Sequence, residues 1–255
     1  MRVLILGGTA EARALATALA GLAGVRPISS LAGRVSDPML PTGEVRIGGF
    51  GGAAGLAGWL ATERIAAVVD ATHPFAATIS WSAAEAAAVA EVPILALRRP
   101  GWTQRPGDDW RRQPSAAAAA QALAASIDSS ADRVFLTTGR TGLAPFARLD
   151  RHWFLIRSIE APQPPLPSRH RLLLARGPFS VPDEIALMRE HRIGVLVTKD
   201  SGGPLTEAKL TAARELGLPV LLIERPAVPD LPAVSTVQAA RDWVAALVPG
   251  PARAG

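Results

Sequence analysis

Several short stretches of the chain place glycines beside hydroxyl or charged side chains directly after apolar runs, a combination suited to holding phosphates and carboxylates. The first follows residues 3–6 (VLIL) and reads Gly7-Gly8-Thr9, with a helical pattern from Ala10 onward. A strand that turns through glycine into a helix leaves unsatisfied N–H groups at the helix start, where a pyrophosphate binds readily. Gly7 and Ala12 fit the first and third positions of the dinucleotide pattern G-x-G-x-x-G/A, and Thr9 stands at the second. Ser29-Ser30 and Arg34 follow the second apolar run, where a nicotinamide dinucleotide lacking a 2′-phosphate would call for Asp or Glu. Hydroxyls and a guanidinium suit a 2′-phosphate instead, although Arg34 also reads as an ordinary solvated arginine. After the third run, Gly48-Gly49-Phe50-Gly51-Gly52 lets backbone approach a ligand around one aromatic ring. After the fourth, Asp70-Ala71-Thr72-His73 puts a carboxylate, a hydroxyl and an imidazole in one turn. Asp70 equally reads as a cap of the following helix, and His73 as a structural histidine.

The second half repeats the scheme with Thr137-Thr138-Gly139-Arg140, Arg176-Gly177-Pro178-Phe179 and Thr198-Lys199-Asp200-Ser201-Gly202-Gly203. Each carries one cation at a strand end. The chain has only two lysines; Lys199 lies in the last of these loops, and its compact ammonium suits a carboxylate or phosphate. Lys209 reads as a solvated helix residue.

The elements that must position these groups alternate regularly. Apolar runs at 3–6, 25–29, 44–47, 67–70 and 93–97 flank helical stretches at 10–22, 53–64 and 76–90. A second block has runs at 134–137, 153–157, 172–175, 195–198 and 220–223, with helices near 115–126, 181–191, 205–216 and 236–247. Near-continuous apolar strands alternating with helices predict parallel sheets covered on both faces, with ligands at the carboxyl ends of the strands. The expected fold is α/β: two Rossmann-like domains with mainly parallel sheets and a ligand cleft between them. The expected boundaries are a dinucleotide-binding domain over 1–100, a Pro- and Trp-containing connector over 101–114, a second α/β domain over 115–248, and a disordered tail over 249–255. The domain that receives 93–97 and 220–223 stays open, and so does a crossover between domains.

Composition narrows the chemistry. Without Cys, no disulfide, zinc-thiolate or iron–sulfur site is available, and the four histidines lack metal-ligand spacing. The sequence pI near 11.0 does not signal nucleic-acid binding, because a chain with no Tyr and two Lys has almost nothing to titrate between neutrality and its arginines. No run of about 18 apolar residues marks a membrane span, and Gly7-Gly8-Thr9, Glu11 and Arg13 break the apolar start of a signal peptide. The expectation is a cytoplasmic protein, monomeric apart from weak contacts with pathway enzymes, without a nucleic-acid or membrane partner.

LILGGTAEAR (4–13), SLAGR (30–34), VRIGGFGG (45–52), DATHPFA (70–76), FLTTGR (135–140) and VTKDSGG with T.AK (197–209) together resemble the precorrin-6A reductase family (CobK/CbiJ) of cobalamin (vitamin B12) biosynthesis. The resemblance spans nearly the whole chain. It implies an NADPH-dependent reduction of one double bond of the precorrin-6A macrocycle, giving dihydro-precorrin-6 (precorrin-6B) without flavin or metal. The substrate is then an anionic tetrapyrrole whose carboxylates need cations. On this basis the cofactor is expected at Gly7, Gly8, Thr9, Ser30, Arg34, Gly48, Gly49, Phe50, Ala71 and Thr72. The substrate is expected at Arg140, Arg176, Lys199, Ser201 and Gly202. Catalytic roles fall to Thr72 and His73 beside the nicotinamide, and to Lys199. Asp200 stands where many relatives are expected to carry Asn. The competing readings are a cobalt-precorrin-6A reductase using NADH and a non-catalytic ligand-binding module.

Overall fold

The computed structural model describes residues 1–33, 39–126 and 132–248, and the expected 249–255 tail lies outside them. The apolar runs become the strands of two six-stranded parallel sheets, joined by seven α-helices among the described residues. The first sheet uses β1 (Arg2–Leu6), β2 (Arg26–Leu31), β3 (Glu44–Ile47), β4 (Ile65–Asp70) and β5 (Ile94–Leu97). Between them run α1 (Ala10–Ala20), α2 (Gly52–Thr62) and α3 (Ala77–Val89). The second sheet contains β6 (Trp110–Gln113), β7 (Arg133–Thr137), β8 (Trp153–Ser158), β9 (His170–Leu174), β10 (Val195–Lys199) and β11 (Val220–Ile223). Its helices are α4 (Ala116–Ala125), α5 (Val181–Glu190) and α6 (Ala208–Glu215); β12 (Ala233–Val234) and α7 (Val237–Ala246) follow.

The first sheet runs β3-β2-β1-β4-β5-β12 and the second β9-β8-β7-β10-β11-β6. Both follow the doubly wound order 3-2-1-4-5-6, in which the connections reverse direction beside the first strand. In each sheet the sixth place is taken by a strand from outside the expected block. Segment 101–114, expected as a connector, supplies β6, which pairs with β11 from Trp110 opposite Val220 to Gln113 opposite Ile223. The carboxyl end of the expected second domain returns to the first sheet. Ala233 and Val234 pair with Ala96 and Leu97, extended by bonds from the Ala96 N–H to the Pro232 carbonyl and the Arg98 N–H to the Val234 carbonyl. The chain thus divides into one unit of Met1–Pro100 with Ala227–Gly255 and another of Gly101–Pro226. The physical reason is burial: Ala240 and Val244 of α7 are fully buried in one core with Val3, Leu15 and Leu19. The second unit has its own core around Phe135, Leu155, Leu196 and Leu222.

Helix starts follow their chemistry. Thr9, Ser115, Ser180 and Thr236 each accept an N–H of the first turn, as N-caps do. No helix among the described residues is long and apolar enough to cross a membrane.

Candidate active site

At the carboxyl end of β1, Gly8 has φ +104°, a conformation open to glycine and rarely adopted by other residues. A Cβ on Gly7 would stand 3.4 Å from both Leu31 Cδ2 and the Ser30 carbonyl oxygen, and 3.6 Å from Ala12 Cβ. Strand, turn and helix approach closely here, and Ala12 is the small residue that permits it. Thr9 is not an open second glycine. It is buried, accepts the Ala12 N–H at 3.1 Å, and donates to the Ala71 carbonyl at 2.8 Å. This hydroxyl clasps the β1 turn to the β4 turn at the point where the strand order reverses, the usual ligand crevice of such sheets.

Asp70 shapes the other lip. One carboxylate oxygen accepts the Thr72 N–H at 3.2 Å and the Thr72 hydroxyl at 2.7 Å; the other accepts the Ser80 hydroxyl at 2.6 Å. Arg98 Nη2 lies 3.9 Å from the second oxygen. Asp70 therefore does not cap α3, whose N-cap is Ala76 without a side-chain bond; it fixes the turn that presents Thr72. Nδ1 of His73 accepts the Phe75 N–H at 3.2 Å, so the neutral ring carries its proton on Nε2. Thr9, Glu11, Ala71, Thr72, Pro74 and Arg98 line a small concavity between these turns. Glu11 pairs with Arg99 at 2.8 Å. Burial pushes its carboxyl up, but its own N–H, the Arg99 charge and bond, and the Thr9 hydroxyl outweigh this and hold it below the ordinary value.

Arg34 lies outside the described residues. Ser30 is buried on β2, and its carbonyl accepts the Gly7 N–H at 2.9 Å. The loop carrying Gly48, Gly49 and Phe50 begins where the Gly48 N–H donates to the Leu31 carbonyl, also at 2.9 Å. Arg46, absent from the expected site, donates into this loop. Its signal in the sequence was a charged residue within strand β3, two positions before the glycines.

In the second unit, β7 and β10 are neighbours, so Lys199 at the carboxyl end of β10 and Arg140 in the loop after β7 lie at the same edge of the sheet. Lys199 Nζ donates to the Thr141 carbonyl at 3.5 Å, and the Ser201 N–H to the Lys199 carbonyl at 2.7 Å. Gly202 has φ +66°. Arg140 is paired with Glu160 at 3.0 Å, so an incoming carboxylate competes with that partner. Arg176 follows β9, two strands from β7. Asp200 is buried and structural: Oδ1 accepts the Trp102 N–H at 3.0 Å, and Arg112 stands 3.6 Å from Oδ2. A neutral amide is not needed to hold Trp102. Lys209 corrects the solvated reading. It is 4% exposed, donates to the Thr206 carbonyl and lies 4.7 Å from the Trp102 ring. Burial, with Arg157 adding to it against Glu184 and Glu207, pulls its pKa down to about 7. Among the described residues no group of acidic or histidine side chains could hold a metal ion.

Two parallel sheets in one strand order, each with glycines and cations at its carboxyl edge and one with a clasped crevice at its switch point, define a two-unit Rossmann-type α/β protein. The chain belongs to the precorrin-6x reductase CbiJ/CobK family, whose model matches residues 2–245. It is 56% identical over 249 residues to the Precorrin-6A reductase of Rhodococcus erythropolis, covering 96% of this chain and 98% of that protein. It is 30% identical over 240 residues to the Cobalt-precorrin-6A reductase of Methanothermobacter thermautotrophicus, covering 89% of this chain and 78% of the relative. The solved structure of CobK precorrin-6A reductase superposes with a TM-score of 0.88 at 42% identity, covering 99% of each chain.

Proposed function

We propose that this oxidoreductase reduces precorrin-6A to its dihydro form with NADPH. The observation that carries the cofactor reading is the Thr9–Ala71 clasp, which joins the glycine turn to the β4 turn at the sheet's switch point. The substrate follows from the family and from the stronger likeness to a precorrin-6A than to a cobalt-precorrin-6A reductase. The site fits a dinucleotide: Gly8 turns with φ +104° and open space where a side chain would stand, and the α1 N-terminus directs N–H groups at the turn. Bound there, the reduced nicotinamide supplies hydride.

The chain's own residues then have separate tasks. Gly7, Gly8 and Thr9 receive the diphosphate. Ser30, Arg34, Gly48, Gly49 and Phe50 surround the adenosine half, while Ala71 and Thr72 border the nicotinamide. Asp70, by accepting both Thr72 donors, fixes that border before ligand arrives. His73 is the donor that completes the reduction, acting as the imidazolium and returning to the neutral ring. Arg140, Arg176, Lys199, Ser201 and Gly202 hold substrate carboxylates through charge-assisted and backbone hydrogen bonds. The deciding experiment mixes the protein with purified precorrin-6A and NADPH and follows reduced-nicotinamide absorbance. Loss of absorbance that requires both protein and precorrin-6A supports the proposal; no loss refutes it. Faster loss with NADH, or with the cobalt-bearing substrate, would transfer the assignment to the cobalt-precorrin reaction.

A further inference from the structure

Arg46 and Ser30 are register partners on β3 and β2, and the guanidinium Nη1 lies 3.5 Å from the Ser30 hydroxyl. The carboxyl end of β2 is where a Rossmann fold meets the ribose 2′ position of a bound dinucleotide. The guanidinium is held there by unusual means. Nη1 donates to the Gly48 carbonyl and Nη2 to the Gly49 carbonyl, each at 2.6 Å. Its central carbon sits 3.8 Å from the centroid of Phe50, whose ring meets Trp59 edge-on at 5.3 Å. Among the described residues no carboxylate forms an ion pair with it. Arg46 therefore brings a full positive charge to the 2′ position, oriented by carbonyl dipoles and an aromatic face.

The same two bonds set the loop. In a trans peptide the C=O and N–H point in opposite directions. Carbonyls of Gly48 and Gly49 drawn onto Arg46 leave the N–H groups of Gly49 and Phe50 directed away from it.

We infer that Arg46 is a specificity-determining residue: its charge selects the 2′-phosphorylated dinucleotide, and its forked donors fix the glycine loop that surrounds the adenosine half. The inference rests on the reading that the first unit binds a nicotinamide dinucleotide. Two variants separate the two tasks. Arg46→Gln removes the charge and keeps a donor; Arg46→Lys keeps the charge and loses the planar fork.

The test is equilibrium titration of the full chain with NADP⁺ and with NAD⁺, followed by tryptophan emission or calorimetry and requiring no turnover. Far-UV dichroism confirms that each variant is folded. Arg46→Gln should weaken NADP⁺ by about ten- to a hundred-fold and NAD⁺ by under about three-fold, the loss expected for a charge-assisted bond. Arg46→Lys should keep the NADP⁺/NAD⁺ ratio within a few-fold of the parent while both affinities fall together. An unchanged ratio in Arg46→Gln, with the parent binding NADP⁺ normally, overturns the role of Arg46 alone. A parent chain that binds neither nucleotide overturns the dinucleotide reading, and this inference with it.

Discussion

Replacing Lys209 by methionine removes a buried titratable amine while keeping an unbranched side chain of similar reach against Trp102. The folded pKa is about 7, whereas an unfolded lysine titrates near ~10.4. Between these values the unfolded chain holds a proton that the folded chain has released, so stability rises with pH across the window. Equivalently, Lys209 contributes fully above the unfolded value, and this contribution is lost as pH falls through the folded value. From pH 7.5 to pH 9 the gain is on the order of 2 kcal/mol. The composition keeps the background small: the chain has no Tyr or Cys and only one other Lys. Denaturant unfolding of parent and Lys209→Met at a series of pH values is the assay. The parent should gain stability across the window and the variant should lose most of that slope, whatever its absolute stability. Equal slopes would refute the assignment of a neutral buried lysine.

Three further outcomes bear on the candidate site. Asp70→Ala strands the buried Ser80 hydroxyl and the half-buried Thr72 donors; denaturant unfolding should show a loss of about 2–4 kcal/mol, at roughly 1–3 kcal/mol per unsatisfied group. His73→Ala should lower kcat by about 10²- to 10⁴-fold if the imidazole gives the proton, and a pH–rate profile distinguishes this from a smaller, pH-independent loss through positioning. Lys199→Ala should raise KM for the tetrapyrrole about ten-fold with little change in kcat, the pattern of lost uniform binding in steady-state kinetics.

The sequence made the strand–turn–helix units legible because their apolar runs are nearly continuous and their turns carry glycine. It did not reveal β6, since WRRQ is a charged edge strand that joins its sheet through backbone bonds to β11. Nor did it reveal β12, two residues within a proline-containing stretch. α7 was legible as a helix, but its partner was not: the face carrying Ala240 and Val244 looks the same whichever core it covers. Around the candidate site, the turns that carry Gly7, Gly8, Thr72 and His73 follow from local spacing. Asp70's role, the Arg46 fork and Lys209's burial depend on groups brought together from separate elements. Lys209 shows the limit most clearly, since Trp102, Arg157 and Glu184 surround it from far along the chain.

The return of β12 and α7 to the first sheet also fixes an order of events during synthesis. A nascent chain that has emerged through Pro226 already contains β6 to β11, every strand of the second sheet. Its first sheet still lacks a sixth strand, and the face of α1 that α7 covers is bare. Domains ordinarily fold in the order they leave the ribosome. Here the later-made unit can close first, and the unit begun earliest must wait, with Leu15 and Leu19 uncovered, until β12 and α7 have been added.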